Sequence, residues 1–285
     1  MPAVASQVVA FLILFTTAVL AQNDPNRKEW IQLFNGKNLD GWVMKTADYP
    51  LGENYANTFR VENGLLKVSY DQYGEFGNRF GHIFYRKRKF SHYVVAAEYR
   101  FVGEQVKGGP DWAFRNNGIM FHCQAPETMG KDQDFPISIE AQLLGGRNTG
   151  ERSTANVCTP GTEIFRNGEM VKSHCFNSTS QTYRGDQWVR VEVEVLGSEH
   201  VRHIIDGKTV LEYGNLQIGG GNVINFDPAI KKDGAPLAEG YLALQAESHP
   251  TEFRKVEVLD LSGCMDPKAA NYKSYYLHRD DTKCK

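Results

Sequence analysis

Apolar and polar side chains alternate along many short segments of this chain. Residues 135–144 read FPISIEAQLL, in which Ile139 and Ala141 fall on one face and Glu140 and Gln142 on the other. A period of two residues is typical of a β-strand that turns one face to a core. The pattern therefore places a carboxyl and an amide on the same strand face, about 7 Å apart.

Comparable segments recur between turn signals. Strands are also predicted at residues 59–70, 81–85, 93–101, 117–123, 187–196, 201–213, 240–248 and 253–261. The pairs Asn63-Gly64 and Asp206-Gly207 indicate tight hairpin turns, and the basic run at residues 86–89 indicates a solvated turn. No segment shows a long helical period. The pattern predicts an all-β fold, built as a two-sheet antiparallel sandwich.

The two ends of the chain differ from this pattern. Residues 8–21 form an apolar run that is short for a bilayer span and ends in a small-residue cleavage pattern. We therefore expect a signal peptide at residues 1–21, with a retained anchor as the alternative. Residues 22–262 then form the sandwich, and residues 263–285 form a polar C-terminal appendix. The protein is expected to be exported (periplasmic, cell-surface or secreted), with no stable membrane insertion.

Five cysteines are an odd number for an exported chain and suggest two bridges and one free thiol. The economical pairing closes two local loops, Cys158–Cys175 and Cys264–Cys284. The second of these bridges would close the C-terminal appendix. Cys123 lies inside an apolar strand and is predicted to be a buried thiol. No Cys-x-x-Cys spacing occurs, which argues against a cysteine zinc site.

Composition limits the classes of partner. The 285-residue chain has a net charge of −2 and no basic run long enough to suggest nucleic-acid binding. Its 41% hydrophobic residues suffice for a core. A polyanion is therefore not an obvious partner.

Several predicted strand faces carry polar residues. These residues are Glu98, Arg100, His122, Glu140, Gln142, Gln245 and Glu247. Amides and carboxylates exchange hydrogen bonds with sugar hydroxyls, so this set favours a carbohydrate site. The alternatives are a solvated outer face or internal ion pairs, such as Glu98 with Arg100. Trp42 could stack on a sugar or pack in the core, and His249 could serve the site or be structural.

A long turn-rich segment follows the Glu140 strand. Residues 145–183 carry the first proposed disulfide, and Asn177 begins an Asn-Ser-Thr glycosylation sequon. Because this segment leaves directly from the strand, we expect it to wall one side of the site.

Ordinary glycoside cleavage needs two carboxyl groups flanking the bond. Laminarinase-type sandwich enzymes carry Glu-x-Asp-x-x-Glu on such a strand. The corresponding residues here are Glu140, Gln142 and Gly145. One carboxylate of that motif is present, which argues against the usual double displacement.

Several motifs together resemble the 3-keto-disaccharide hydrolase domain family, of the concanavalin A-like (lectin/glucanase) class. They are LFNGKNLDGW (residues 33–42), NGIMF (117–121), IEAQLL (139–144), GDQW (185–188) and the closing GYLALQAES and FRKVEVLDL. The resemblance extends from about residue 30 to residue 261. It implies a jelly-roll sandwich and a hydrolase or lyase acting on 3-keto-glycosides.

The resemblance also implies a mechanism. A ketone at C3 acidifies the C2 proton; a base removes it, the enolate expels the glycosidic oxygen from C1, and water then adds. Glu140 or His122 would be the base, with Gln142, Asn117 and Arg100 as polarising or orienting groups.

Gln245, Glu247, His249 and Trp42 would complete the substrate site. No cofactor is indicated with certainty, and a divalent metal held by His122, Glu140 and His249 remains an alternative.

One position departs from the family pattern. Many relatives read Glu-x-Gln-x-x-Asp, whereas this chain has Gly145 at the Asp position. Either a residue of segment 145–183 substitutes, or the chemistry of this branch is altered. The alternative functions are a non-catalytic, lectin-like carbohydrate-binding module and a protein-interaction or surface-structural domain.

Overall fold

Two antiparallel sheets, packed face to face, contain most strands of the chain. A computed structural model describes residues 23–285, so the predicted signal peptide lies outside the described residues. The strands are β1 (Ile31–Gln32), β2 (Trp42–Thr46), β3 (Phe59–Glu62), β4 (Leu65–Val68), β5 (Gly81–Phe90), β6 (His92–Phe101), β7 (Asn116–Cys123), β8 (Ile139–Leu144), β9 (Asn156–Cys158), β10 (Thr162–Arg166), β11 (Glu169–Met170), β12 (Cys175–Phe176), β13 (Val189–Leu196), β14 (His200–Ile205), β15 (Lys208–Ile218), β16 (Gly240–Ala246), β17 (Thr251–Asp260), β18 (Ser262–Gly263) and β19 (His278–Arg279). Short 3-10 turns occur at Tyr55–Asn57, Asp111–Ala113, Pro126–Thr128 and Asp281–Lys283.

The strand order confirms the predicted architecture. The ten-stranded sheet runs β11–β10–β15–β14–β13–β6–β17–β4–β3, with β1 also pairing with β17. The seven-stranded sheet runs β12–β9–β8–β7–β16–β5–β2. Neighbours that are distant in sequence, such as β6 and β17, require crossovers between the sheets. The fold is the predicted all-β, two-sheet antiparallel sandwich.

Alternating residues from the two sheets form the core between them. Val191 and Val193 of the ten-stranded sheet belong to one core cluster with three residues of the seven-stranded sheet, Ile119, Ile139 and Leu244. All five are at most 1% exposed. Burying an aliphatic side chain of this size contributes about 1.5–3 kcal/mol. The apolar face of the 135–144 segment therefore points inward, as predicted, and its polar face points away from the other sheet.

Both predicted hairpin turns form. Asn63 and Gly64 have φ of 52° and 76°, and Asp206 and Gly207 have φ of 50° and 73°. These left-handed backbones are those that a two-residue hairpin turn requires, and Asn, Asp and Gly adopt them at least cost.

The predicted turn at residues 86–89 is wrong. These four basic residues are exposed but belong to β5, and the chain turns at Ser91 instead. Arg88 pairs with Asp260 at 3.1 Å and Lys89 with Glu239 at 3.1 Å. Long charged side chains remain solvated on a strand as readily as in a turn, so the basic run did not distinguish the two.

The predicted disulfides are both present. Cys158 bonds to Cys175, and Cys264 bonds to Cys284. Cys123 is a free, buried thiol, and burial raises its pKa above the usual value. Two disulfides suit an oxidising compartment, in agreement with the expected export.

The C-terminal appendix packs against the start of the described chain. Its β19 pairs in parallel with β18, and the backbone nitrogen of Ser274 donates to the carbonyl of Pro25 at 2.9 Å. The ammonium of Lys273, 3% exposed, meets the carboxylate of Glu29 at 2.6 Å. Within residues 23–285, no helix combines the length and apolar character needed to cross a membrane.

Asn117 ties the two sheets together. Its side-chain nitrogen donates to the carbonyl of Gln245 on β16 at 2.8 Å and to the hydroxyl of Thr251 on β17 at 3.3 Å. Its side-chain oxygen accepts from the backbone nitrogen of Gly118 at 2.8 Å. Asn117 is 0% exposed, so each of these bonds replaces one that water would otherwise make.

We predict that Asn117→Ala lowers the free energy of unfolding by about 1–3 kcal/mol, because it leaves buried polar groups without partners. Urea denaturation followed by circular dichroism measures this change. Asn148→Ala, at an exposed position, is the control and should change stability little. An equal stability for both variants would contradict the structural role of Asn117.

Candidate active site

A polar floor covers the outer face of the seven-stranded sheet, where β16, β7, β8 and β9 lie side by side. The register places Gly118 opposite Gln142, Met120 opposite Glu140, and Gln142 opposite Asn156. A pocket of about 430 Å³ opens above this face, within the range usual for small-molecule sites. It is lined by Trp112, Asn116, Asp134, Phe135, Glu140, Gln142, Cys158, Pro160, His174, Cys175, Asn222, Ile224 and Glu247.

Gly118 leaves the space in which the floor residues meet. A Cβ atom there would lie 2.7 Å from Cγ and Oε1 of Glu140 and 2.7 Å from Oε1 of Gln245. Side chains do not tolerate such contacts, so a residue larger than glycine would displace the carboxyl group. The glycine of the NGIMF segment therefore lets two polar side chains converge from neighbouring strands.

Glu140 and Glu247 form a buried carboxyl pair. Glu140 is 5% exposed and Glu247 is 3% exposed. Burial raises the pKa of Glu140 to about 8; the nearby Gln245 amide opposes this shift, although its atoms are outside hydrogen-bonding geometry. Burial, and then the charge of Glu140, raise the pKa of Glu247 well above its usual range. Both pKa values are therefore raised, and ionisation of one carboxyl favours the protonated form of the other.

Several buried polar atoms around the pocket have no hydrogen-bond partner among the described residues. They are Glu140 Oε1, Glu247 Oε2, Asn116 Oδ1, His174 Nδ1 and both amide atoms of Gln245. Buried polar atoms are normally paired, so a cluster of unpaired ones around one pocket indicates a ligand-binding surface. The arrangement suits a hydroxylated ligand that supplies both donors and acceptors.

The segment at residues 145–183 walls the pocket, as expected. Cys158, Pro160, His174 and Cys175 all belong to it and line the pocket. The Cys158–Cys175 bridge joins β9 to β12 at the edge of the sheet. The disulfide therefore holds the wall of the pocket in place.

Among the predicted site residues, the structure brings Glu140, Gln142, Gln245 and Glu247 together. Gln142 accepts a hydrogen bond from Nδ2 of Asn156 at 3.2 Å. Gln245, 0% exposed, adjoins Glu140 above Gly118. All four share the outer face of one sheet, which the alternation of residues predicts.

The structure does not place His122 in this pocket, so the predicted face of His122 is wrong. Its φ of 49° is left-handed, which breaks the alternation of β7. The side chain turns between the sheets, where Nε2 lies 3.2 Å from the carbonyl oxygen of Gly197 and the ring packs against Tyr93. Burial lowers the pKa of His122 to about 4.

Arg100 and Asn117 also lie away from the pocket. Arg100 is on β6 of the ten-stranded sheet, where its Nε donates to Glu252 at 2.8 Å and its guanidinium stacks on Trp188. Glu98 is on the same outer face and pairs with Arg190 and Arg254. Asn117 serves the sheet contact described above, and its neighbour Asn116 lines the pocket instead.

Trp42 and His249 are core residues. Trp42 is 8% exposed, donates from Nε1 to the carbonyl of Leu33 at 2.9 Å and packs edge-on against Tyr85. His249 is 0% exposed and lies between the rings of Phe101 and Phe114. Burial, with the nearby charges of Arg115 and Arg152, lowers the pKa of His249 to about 4. Asn177 is exposed and outside the pocket lining, and its glycosylation stays a prediction.

Position 145 has no room for the carboxylate that the family pattern places there. A Cβ atom on Gly145 would lie 2.8 Å from Cδ2 of Phe101 and 3.0 Å from Cβ and Cδ of Arg115. The carbonyl of Gly145 accepts from Nη1 of Arg152 at 2.9 Å. Aromatic and cationic side chains therefore fill the corner that an Asp would occupy.

The alternative metal site is not assembled. His122 points between the sheets and His249 packs against aromatic rings, so neither joins Glu140. Within residues 23–285, the one group of three closely spaced metal-type ligands is Cys158, His174 and Cys175. Its two sulfur atoms already form a disulfide, and so they do not offer thiolates.

The alternation of residues along the chain does not mark the aromatic and apolar rim of the pocket. Trp112, Phe135 and Ile224 line it, and Trp112 is 52% exposed. All three lie outside the strands, where no periodicity marks the direction of a side chain. The signal that could have found Trp112 is its position just before the strand that carries Asn116 and Gly118.

The raised pKa values predict that stability falls as the pH rises. The folded chain keeps protons on Glu140 and Glu247 that the unfolded chain releases near the usual carboxyl pKa of about 4.3. The stabilisation is complete below that pH. It is lost as the pH rises through the pKa values of the folded chain, and the folded-state pKa of Glu140 is about 8. We expect Glu247→Gln to have a Tm several degrees above that of the wild type near pH 9 and a smaller difference near pH 4.

Thermal unfolding followed by circular dichroism across this pH range measures the difference. Glu104→Gln removes an exposed carboxylate and is the matched control. The same pH dependence in both variants would contradict the burial of Glu247 as a neutral acid.

Comparison with known proteins gives the chain a family. No curated protein matches it by sequence. Among solved structures, a candidate glycosyl hydrolase from Parabacteroides distasonis is 17% identical with a TM-score of 0.46, covering 81% of this chain and 93% of that one. A β-glucanase from Bacillus licheniformis is 12% identical with a TM-score of 0.40, covering 83% and 100%. The carbohydrate-binding module CBM66 from Bacillus subtilis is 11% identical with a TM-score of 0.36, covering 64% and 82%.

These distant likenesses carry no argument about a ligand. The family match is different, because it extends over residues 29–259 and confirms the resemblance derived from the motifs. The chain belongs to the family of the 3-keto-alpha-glucoside-1,2-lyase-like domain.

Proposed function

We propose that this protein cleaves 3-keto-glycosides by elimination across C1 and C2, with Glu140 as the base and Glu247 as the acid. The observation that carries the proposal is the buried carboxyl pair that borders one pocket. Both pKa values are raised, and a charge on Glu140 raises the pKa of Glu247 further. One pair thus supplies a basic carboxylate and a proton donor at the same pH.

The elimination balances without a further reactant, and the hydration that follows consumes one water molecule. Ionised Glu140 takes the proton from C2, and the electron pair of the C–H bond forms an enolate with the C3 ketone. The enolate re-forms the ketone as the C1–O bond breaks, and the leaving oxygen takes the proton of Glu247. The product is an unsaturated keto sugar and a free alcohol. Addition of water across the same two carbons then completes a net hydrolysis.

The Gln142 amide on the floor suits the enolate. Oε1 of Gln142 accepts from Asn156, and no hydrogen bond within residues 23–285 uses the amide nitrogen of Gln142. That nitrogen is free to donate to the oxygen at C3, where negative charge develops. Gln245, which is fully buried beside Glu140 and outside the pocket lining, adjoins the proposed base rather than the ligand.

The same electrostatics disfavours an ordinary retaining glycosidase. That mechanism needs one carboxylate that is already ionised and acts as a nucleophile on C1. Here burial raises the pKa of both carboxyls. A carboxylate of raised pKa is a stronger base, which suits removal of a proton from carbon next to a ketone.

We predict that the alcohol is released from a 3-keto-disaccharide and not from the same disaccharide without the ketone. In deuterated water, recovered keto sugar should contain deuterium at C2, because Glu140 exchanges its proton with solvent. Mass spectrometry of the products measures both results. Turnover of the unoxidised sugar would overturn the elimination. Turnover of the keto sugar with neither deuterium exchange at C2 nor slowing by a C2 deuterium label would also overturn it. Binding without turnover would instead select a carbohydrate-binding module.

The pH profile tests the roles of the two carboxyls. We predict that kcat/KM rises about tenfold per pH unit below the pKa of Glu140 and levels above about 8. Glu140→Gln should abolish the rate at every pH. Glu247→Gln should retain the rise of kcat/KM with pH. For substrates with poor leaving groups, its kcat/KM should be at least about 100-fold lower than that of the wild type, because the variant lacks the acid. A profile that falls through this range would contradict Glu140 as the base.

The space at Gly118 gives a further prediction. Gly118→Ala places a methyl group against Cγ of Glu140, so we expect kcat to fall at least about tenfold while the chain remains folded. Gly168→Ala, at a glycine with no atom near its Cβ direction, is the control for added bulk, although its positive φ adds a small strain. Full activity of Gly118→Ala would show that the position of Glu140 is not critical.

A further inference from the structure

We propose that the rim of this pocket binds an apolar, aromatic leaving group, so that the preferred substrates are 3-keto-glycosides of aromatic alcohols rather than disaccharides. The inference rests on the proposed function for the reaction and adds the chemical class of the group that leaves. It follows from a division of the pocket into a polar floor and an apolar rim.

Two large apolar side chains are exposed at the rim. Trp112 is 52% exposed and Ile224 is 58% exposed, and both line the pocket that contains Glu140 and Glu247. They come from different loops, and Phe135 and Pro160 lie in the same lining. Exposed apolar groups gathered around a concave site mark a surface that a ligand covers.

The indole of Trp112 is held as a platform. It stacks on Phe80 with ring centres 5.9 Å apart and planes 14° apart, and Phe80 in turn contacts Phe135 at 5.1 Å. The carbonyl of Trp112 accepts from Nη2 of Arg152 at 3.1 Å. Because Phe80 covers one face and the indole is still half exposed, an aromatic group can stack on the open side.

Ile224 and Phe135 are fixed by one carboxylate. Oδ1 of Asp134 accepts from the backbone nitrogen of Phe135 at 2.8 Å and from that of Ile224 at 2.9 Å. The acid at the rim is therefore engaged with the backbone, and it presents two apolar side chains to the pocket. Through this oxygen, Asp134 positions both side chains.

The floor and the rim suit different halves of a glycoside. The polar atoms without partners lie at Glu140, Glu247, Asn116 and Gln245, where a keto sugar would react. A second sugar can place a C–H face on Trp112, but its ring-edge hydroxyls would lie against Phe135 and Ile224 and lose hydrogen bonds to water. Beyond the floor, the polar side chains of the lining are Asp134, His174 and Asn222, which are fewer polar groups than the hydroxyls of a hexose need. A planar aromatic leaving group carries no hydroxyls on its ring, so it loses no hydrogen bonds to water at the rim.

The test compares three 3-keto-glucosides whose leaving groups are methanol, phenethyl alcohol and glucose. Methanol and phenethyl alcohol are similarly poor leaving groups, so a difference between them reports binding rather than reactivity. We expect kcat/KM for the phenethyl glycoside to exceed both others by about tenfold or more. Trp112→Ala should remove most of this advantage, so that the ratio of kcat/KM between the phenethyl and methyl glycosides falls toward one.

Two further variants keep the test independent of folding. Ile224→Asn alters an exposed side chain and should also reduce the preference for the phenethyl glycoside. Leu277→Ala truncates an apolar side chain that is 55% exposed and outside the pocket lining, and should leave the preference unchanged. A preference for the disaccharide, or a preference for the phenethyl glycoside that survives both rim variants, would overturn the inference.

Binding of unoxidised phenethyl glucoside, measured by calorimetry, separates this inference from the proposed function. Turnover of the methyl and glucosyl substrates without a preference for the phenethyl one would overturn the inference and leave the elimination intact. No turnover of any 3-keto-glycoside, together with binding of phenethyl glucoside that Trp112→Ala weakens, would overturn the elimination and support the apolar rim. If no 3-keto-glycoside is turned over and phenethyl glucoside does not bind, both the elimination and the apolar rim are overturned.

Discussion

Burial of two carboxyl groups beside one another is the constraint on which the candidate site depends. An ionised carboxylate is costly to remove from water, and a second negative charge nearby adds to that cost. Glu140 and Glu247 therefore keep protons that exposed carboxyls would release. The sandwich supplies the stability that this arrangement reduces, since the opposite face of the same strands is apolar and fully buried.

The geometry of the pair depends on departures from regular strands. Gly118 leaves room for Glu140 and Gln245 to meet, and no other residue could occupy that point without moving them. Ser248, with φ of 87°, ends the alternation of β16 directly after Glu247. Glu247 thus stays on the pocket face, whereas His249 turns toward Phe101 and Phe114. Local backbone conformation, as much as strand register, decides which side chains reach the ligand.

The same departures explain how far the sequence predicts this protein. Alternation of residues identified the all-β sandwich and placed Glu140, Gln142, Gln245 and Glu247 on outward faces. It failed at His122, because a left-handed residue reverses the face and His has no obligatory signal for that conformation. It also grouped Arg100 with the site, since alternation does not reveal that β6 joins the other sheet. Trp112 lies in a loop, where only tertiary packing decides its direction.

Position 145 shows why the altered motif still leaves a coherent site. Phe101 and Arg115 fill the direction in which a side chain would project, and Arg152 binds the Gly145 carbonyl. A carboxylate there would need that corner rebuilt, and position 145 is outside the lining of the pocket that Glu140 and Glu247 share. The two carboxyls of the pocket therefore depend on no side chain at position 145. The glycine is thus compatible with a site in which two carboxyls divide the chemistry and the apolar rim selects what they act on.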